Sequence, residues 1–150
     1  MANVQTLNQI VKNLTEIASK HRQINDFKFG DPWEFTASGI AVTPVMWVQP
    51  QPFEAGRNTY TYKFRIWLLD SVKRGEDNET EVLSDMALVA ADILAQLRNP
   101  NYSWLYDFDL KTTITPITES SDYKLSGCWF DVELKLLYPG DTCRIPFASG

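Results

Sequence analysis

Thr59-Tyr60-Thr61-Tyr62-Lys63-Phe64-Arg65-Ile66-Trp67-Leu68-Leu69-Asp70 alternates with a period of two. Successive side chains of a β-strand point to opposite faces. Tyr60, Tyr62, Phe64, Ile66 and Leu68 therefore share one face, and Thr59, Thr61, Lys63 and Arg65, joined by Trp67 and Leu69, share the other. A strand of this length with one aromatic and aliphatic face belongs in an antiparallel sheet that is covered on that face. A second stretch repeats the pattern: Cys128, Phe130, Val132, Leu134, Leu136 and Tyr138 line one side, while Asp131, Glu133 and Lys135 line the other. Pro139-Gly140 stops it.

Two helices supply the cover. Val4, Leu7, Ile10, Val11, Leu14, Ile17 and Ala18 recur at three- and four-residue steps, with Lys12, Asn13, Glu16 and Ser19 between them, which is the stripe of an amphipathic helix. It should end near His21-Arg22. Behind Asn78 and Glu81, spaced as a capping box, Val82, Met86, Val89, Ala90, Ile93 and Leu97 form a second stripe, broadened by Leu83 and Leu94. The Ala and Leu residues from Ala87 to Ala95 suit close packing on the sheet, and Asn99-Pro100 ends the helix.

Between the helices, Phe27–Phe29, Trp33–Ala37 and Ile40–Val48 read as short strands. Pro44 lacks an N–H and marks an edge or a bulge. Gln49–Asn58, with Pro50 and Pro52, reads as a long hairpin loop. Asn101–Asp109 is a loop crowded with rings, and Leu110–Thr118 is strand-like, with Pro116 inside it. Strands in runs interrupted by one helix favour α+β over a doubly wound parallel sheet. The expected fold is thus a single α+β domain over residues 1–140, a twisted antiparallel sheet carrying an N-terminal and a central helix, in the order α-β-β-β-α-β-β. Residues 141–150 form a C-terminal tail.

Composition narrows the function. The chain has 150 residues and a net charge of −5, from 19 acidic and 14 basic side chains. Gripping nucleic acid requires phosphate neutralisation by many Lys and Arg, and no basic run exists. No apolar run is long enough to span a bilayer, and the polar start Met1–Gln5 does not read as a secretory signal. Cys128 and Cys143 have neither CxxC nor metal-ligand spacing and read as free thiols of a reducing compartment. The single histidine, His21, lies between Lys20 and Arg22 at a helix C-terminus, where the dipole favours a cation. No phosphate-binding glycine loop is present. Asp107 and Asp109 share one side of an extended segment and could hold a divalent ion, but a two-residue match in an acidic protein is a weak signal, and a solvated loop is the ordinary explanation. Asp85 and Asp92 belong to a polar helix flank. No catalytic residue, cofactor or metal site is assigned.

Trp, Tyr and Phe reach 13% of the chain, more than one core of this size needs, and Trp and Tyr are residues that interfaces favour. The candidate contact residues are Phe53 and Arg57 in the proline loop; Tyr102, Trp104, Tyr106 and Phe108 in the ring-rich loop; and Cys143, Arg144, Ile145, Pro146 and Phe147 in the tail. An apolar tail is unusual for a free terminus.

From Val4 to Tyr138 the layout resembles the tail-terminator and neck proteins of tailed bacteriophages. The features that carry the resemblance are the Thr59–Asp70 strand, the acidic lead Gly75–Glu81 into the Val82–Leu97 helix, the closing Gly127–Val132 strand and the Cys143–Phe147 end. The resemblance implies a non-enzymatic structural protein of the virion, assembled in the bacterial host cytoplasm into a homo-oligomeric ring of six- or twelve-fold symmetry at the head–tail junction or tail end. Its neighbours would be neck, connector or tail proteins, and DNA would pass the channel without sequence-specific binding. A closed ring needs two different complementary patches on each subunit, for which the two loops and the tail are the candidates. The alternatives are a small-molecule- or peptide-binding module using Tyr60, Tyr62 and Phe64 as a pocket, and an enzyme using Asp107 and Asp109 with a metal.

Overall fold

In a computed structural model of the chain, residues 6–30, 43–71, 79–97, 107–108, 112–117 and 125–137 are described. The elements are α1 (Leu7–Lys20), β1 (Asp26–Phe29), β2 (Val45–Pro50), β3 (Glu54–Gly56), β4 (Thr59–Ser71), α2 (Glu79–Leu97), β5 (Asp107–Phe108), β6 (Thr115–Ile117) and β7 (Leu125–Leu137). The class is α+β, with strands on both sides of the central helix as the sequence implies. Short β3 and two-residue β5 are added to the expected set.

The two alternating stretches pair with each other. β4 and β7 run antiparallel in register along their whole lengths, from Thr59 opposite Leu137 to Ser71 opposite Leu125. They form the centre of a sheet ordered β1-β2-β4-β7-β5, with β3 on β4 and β6 on β7. All pairs are antiparallel except β1 with β2, where Asp26–Phe29 lies alongside Val45–Val48 in parallel. Parallel neighbours need a crossover of about a dozen residues or more, and the stretch from Gly30 to Pro44 provides it. Trp33–Ala37, expected as a strand, lies in this stretch and outside the described residues.

α1 and α2 cover one face of the sheet. Ile10, Leu14, Ile17 and Ala18 of α1 and Val82, Met86, Val89, Ala90, Ile93 and Leu97 of α2 are buried against Met46, Val48, Phe64, Ile66, Leu68, Cys128, Phe130, Val132, Leu134 and Leu136. The faces predicted for β4 and β7 are thus the core faces. At roughly 1.5–3 kcal/mol per buried aliphatic or aromatic side chain, this interface dominates the stability. Thr6 and Gln9 form a reciprocal capping box at the start of α1, Gln9 N donating to Thr6 Oγ1 and Thr6 N to Gln9 Oε1. The helix ends at Lys20 with His21 as its C-cap. The capping box read at Asn78 falls outside the described residues.

Three expectations need correction. First, Pro44 is not inside a strand: it precedes β2 after a cis Thr43–Pro44 peptide, and its carbonyl accepts the Asn25 N–H at 2.8 Å. Second, Gln49–Asn58 is not one long loop. β2 continues to Pro50, opposite Phe64, and β3 resumes with Glu54 opposite Thr61. The turn itself is only Arg57-Asn58, with Asn58 at φ 64°, a left-handed conformation that Asn tolerates. Between Pro50 and Glu54 the chain holds one residue more than β4 does opposite, which makes a bulge. Strict alternation would put Phe53 on the face opposite the helices; the extra residue turns it onto the helix-covered face. Third, the end of the ring-rich loop is strand: Asp107 pairs with Lys135 and Phe108 with Leu134.

Candidate interaction surface

The sheet face opposite the helices is built in transverse rows, set by register. The first row places Val45, Leu69, Gly127 and Ile117 side by side, and the next Trp47, Trp67 and Trp129. Val45, Trp47, Leu69 and Ile117 are buried as a second apolar cluster, with Trp67 and Trp129 half-buried against it. The following rows are polar: Gln49, Arg65 and Asp131, then Lys63 with Glu133. One face therefore grades from tryptophan to charge along the strands.

The boundary between the two halves is tied down by specific bonds. Trp47 Nε1 donates to the Gly30 carbonyl at 2.9 Å, and Trp67 Nε1 donates to Gln49 Oε1 at 3.1 Å. The Trp67 and Trp129 rings lie 5.9 Å apart, tilted by 42°. The Arg65 guanidinium sits 4.0 Å above the Trp129 ring and donates from Nε and an η nitrogen to the two Asp131 oxygens at 2.9 and 3.3 Å. That bidentate contact raises the Arg65 pKa from its ordinary value. It adds geometric specificity, and the cation over the indole contributes roughly 0.5–1 kcal/mol. Lys63 Nζ donates to Glu54 Oε1 at 2.6 Å and lies 3.5 Å from Glu133; the Glu54 bond is the main cause of its raised pKa.

On the helix-covered face the rings form a separate group. Phe53 lies 4.9 Å from Tyr62, 5.9 Å from Phe64 and 6.5 Å from Tyr60. The aromatic face considered as a pocket is thus occupied by a ring of its own chain. Tyr62 is raised above the ordinary phenol pKa by burial and then by Tyr60.

His21 serves a structural purpose that its sequence neighbours only half disclosed. Its Nδ1 accepts the Gln23 N–H at 3.1 Å, and its Nε2 lies 2.9 Å from Asp92 Oδ2 on α2. A backbone N–H aimed at Nδ1 leaves that nitrogen unprotonated, so the proton sits on Nε2 and is donated to Asp92. The pair clamps the end of α1 to α2. Cys128 is fully buried, and burial pushes its thiol up to about 11, which keeps it protonated and unreactive at neutral pH. Among the described residues no group of three or more His, Cys, Asp or Glu is placed to hold a metal, and no helix is long and apolar enough to cross a membrane.

Of the candidate contact residues, Phe53 is half-buried on the core face and Arg57 is exposed at the hairpin turn. Phe108 is placed by its backbone in β5. Tyr102, Trp104, Tyr106, Cys143, Arg144, Ile145, Pro146 and Phe147 lie outside the described residues, as does Asp109. The sequence marked Trp67 as an apolar position on a charged face. The three-tryptophan row needed the β2–β4–β7 register to become visible. No family model matches the chain, and no curated protein matches it significantly.

Proposed function

We propose that the chain is a structural subunit that closes into a homo-oligomeric ring, of the tail-terminator or neck type that joins head to tail in tailed bacteriophages. The observation that carries the proposal is the sheet face opposite the helices, where half-buried Trp67 and Trp129 lie beside an arginine pinned by Asp131. Aromatic rings and arginines held in one conformation are what subunit contacts are made from, because little side-chain freedom remains to be lost on association. The sheet acts as a scaffold, and its partners are further copies together with neck, connector or tail proteins. A net charge of −5 suits a channel wall that DNA passes without sticking. In this reading the protein resides in the virion after assembly in the host cytoplasm.

Direct imaging of the purified protein by negative-stain electron microscopy tests the proposal. Closed annuli are expected; single small particles at every concentration would refute it. The reading as a peptide- or small-molecule-binding module is less well supported, since Phe53 already covers Tyr60, Tyr62 and Phe64.

A further inference from the structure

The sheet order β1-β2-β4-β7-β5 ends on one side at β1, and no described strand pairs with the outer side of that strand. An unpaired edge is a template for strand addition by another chain. In the parallel ladder with β2, Lys28 lies beside Trp47 and Phe29 beside Val48, and Gly30 N donates to the Val48 carbonyl at 2.9 Å. Along a strand the backbone groups of successive residues turn to opposite neighbours. Lys28 and Gly30 therefore address β2, while Phe27 and Phe29 present their N–H and C=O groups outwards. Both of these rings pack on the core, which holds the edge backbone in place and ready to pair.

Two charged side chains stand at this edge. Asp26 Oδ1 accepts the Phe27 N–H at 2.9 Å, so one of the outward donors is already bonded within its own strand. Asp26 Oδ2 lies 3.6 Å from Lys28 Nζ, which steadies the carboxylate there. Register shows what the pair prevents. Two copies meeting edge to edge around a two-fold axis would bond Phe27 of one to Phe29 of the other. Lys28 would then face its own copy in the close, non-hydrogen-bonded site between those pairs. The incoming Phe29 carbonyl would meet the Asp26 carboxylate instead of a donor, and two like charges would stand directly opposite each other, which disfavours pairing. Further along, the same side of the sheet is protected by other means. β2 ends in Pro50 and Pro52 follows, neither with an N–H to offer, and the bulge at Phe53 bends the edge before β3. β1 has no proline and no bulge, and it is β1 that carries Asp26 and Lys28.

We infer that Asp26, steadied by Lys28, closes the β1 edge against strand addition by a second copy of this chain, and so keeps copies from joining through their sheets. Such an edge-to-edge pair is isologous and distinct from any head-to-tail contact. The inference therefore does not rest on the ring reading.

Disulfide trapping on the full chain tests it. Cα atoms of a non-hydrogen-bonded antiparallel pair lie about 4.5 Å apart, within reach of a disulfide, so a cysteine at position 28 reports the edge-to-edge pair directly. Lys28→Cys, Asp26→Ala/Lys28→Cys and Asp26→Asn/Lys28→Cys are compared on a Cys143→Ser background; Cys128 is buried and stays out of the reaction. Under mild oxidation the alanine variant should form covalent dimer roughly tenfold faster than Lys28→Cys, the scale of one hydrogen bond. The asparagine variant, whose Oδ1 still accepts the Phe27 N–H, should dimerise as slowly as Lys28→Cys. Equal rates for the alanine variant and Lys28→Cys would overturn the inference, as would an asparagine variant that dimerises as fast as the alanine one. Amide hydrogen exchange on the unaltered protein needs no variant: the Phe27 N–H should exchange far more slowly than the outward Phe29 N–H, and equal rates would overturn the capped edge.

Discussion

Replacing Gly127 by alanine probes the β4–β7 pair on which everything else is mounted. Gly127 lies opposite Leu69 with φ 150°, and a Cβ added there would come 1.9 Å from the Leu68 carbonyl oxygen and 3.0 Å from its carbon. The obstacle is backbone, so no side-chain rotation relieves it. A non-glycine residue held in such a conformation costs about 1–3 kcal/mol. Forcing β4 and β7 apart to admit the methyl group adds about 1–3 kcal/mol, as overpacking does elsewhere. Gly127→Ala should therefore lose about 3–5 kcal/mol of unfolding free energy, a large part of the 5–15 kcal/mol typical of a domain. Urea titration followed by tryptophan fluorescence measures it, provided the slope is unchanged. A loss below about 1 kcal/mol would refute the close approach of the two strands at this point.

Further outcomes follow from the same geometry. Cys128 has a folded pKa of about 11 against about 8.5 in an unfolded chain. An acid whose pKa is raised by folding contributes stability that is intact below the unfolded value and lost as pH climbs towards the folded one. Unfolding free energy should fall by up to about 1.4 kcal/mol per pH unit between roughly pH 9 and 11 more steeply than in Cys128→Ala; identical slopes would contradict it. Phe53→Ala should cost about 2–3 kcal/mol, from lost half-burial and its ring contacts; chemical denaturation showing less than 0.5 kcal/mol would mean that the bulge does not hold the ring on the core face. Nitrogen NMR of His21 should find the neutral imidazole protonated on Nε2, the tautomer that donates to Asp92; a proton on Nδ1 would remove the clamp between the helices.

What the sequence disclosed and what it withheld divide along a physical line. β4 and β7 were legible because alternation and length are local properties, and Tyr60 to Leu68 could be assigned to a face without knowing any partner. α1 was legible for the same reason, its one apolar stripe standing against a polar remainder. The parallel pairing of β1 with β2 was not, since Phe27-Lys28-Phe29 carries no mark of direction. Phe53 was named as a loop contact, and its place on the core face was missed because that face depends on a one-residue bulge, which is a difference between two strands rather than a property of either. The Trp47–Trp67–Trp129 row likewise exists only in the register. α2 misled in a different way: an Ala- and Leu-rich stretch satisfies packing on either side of a helix, so periodicity alone could not say that Leu88, Ala91 and Ala95 turn outward.

The central claim is that this domain is a ring subunit, and native mass spectrometry of the unaltered protein at near-physiological salt tests it most directly. The account predicts one dominant species at a fixed integer multiple of the 17.2 kDa chain, as closure of a head-to-tail contact demands. A single 17.2 kDa species persisting at high concentration, or an open-ended ladder with no preferred stoichiometry, would contradict it.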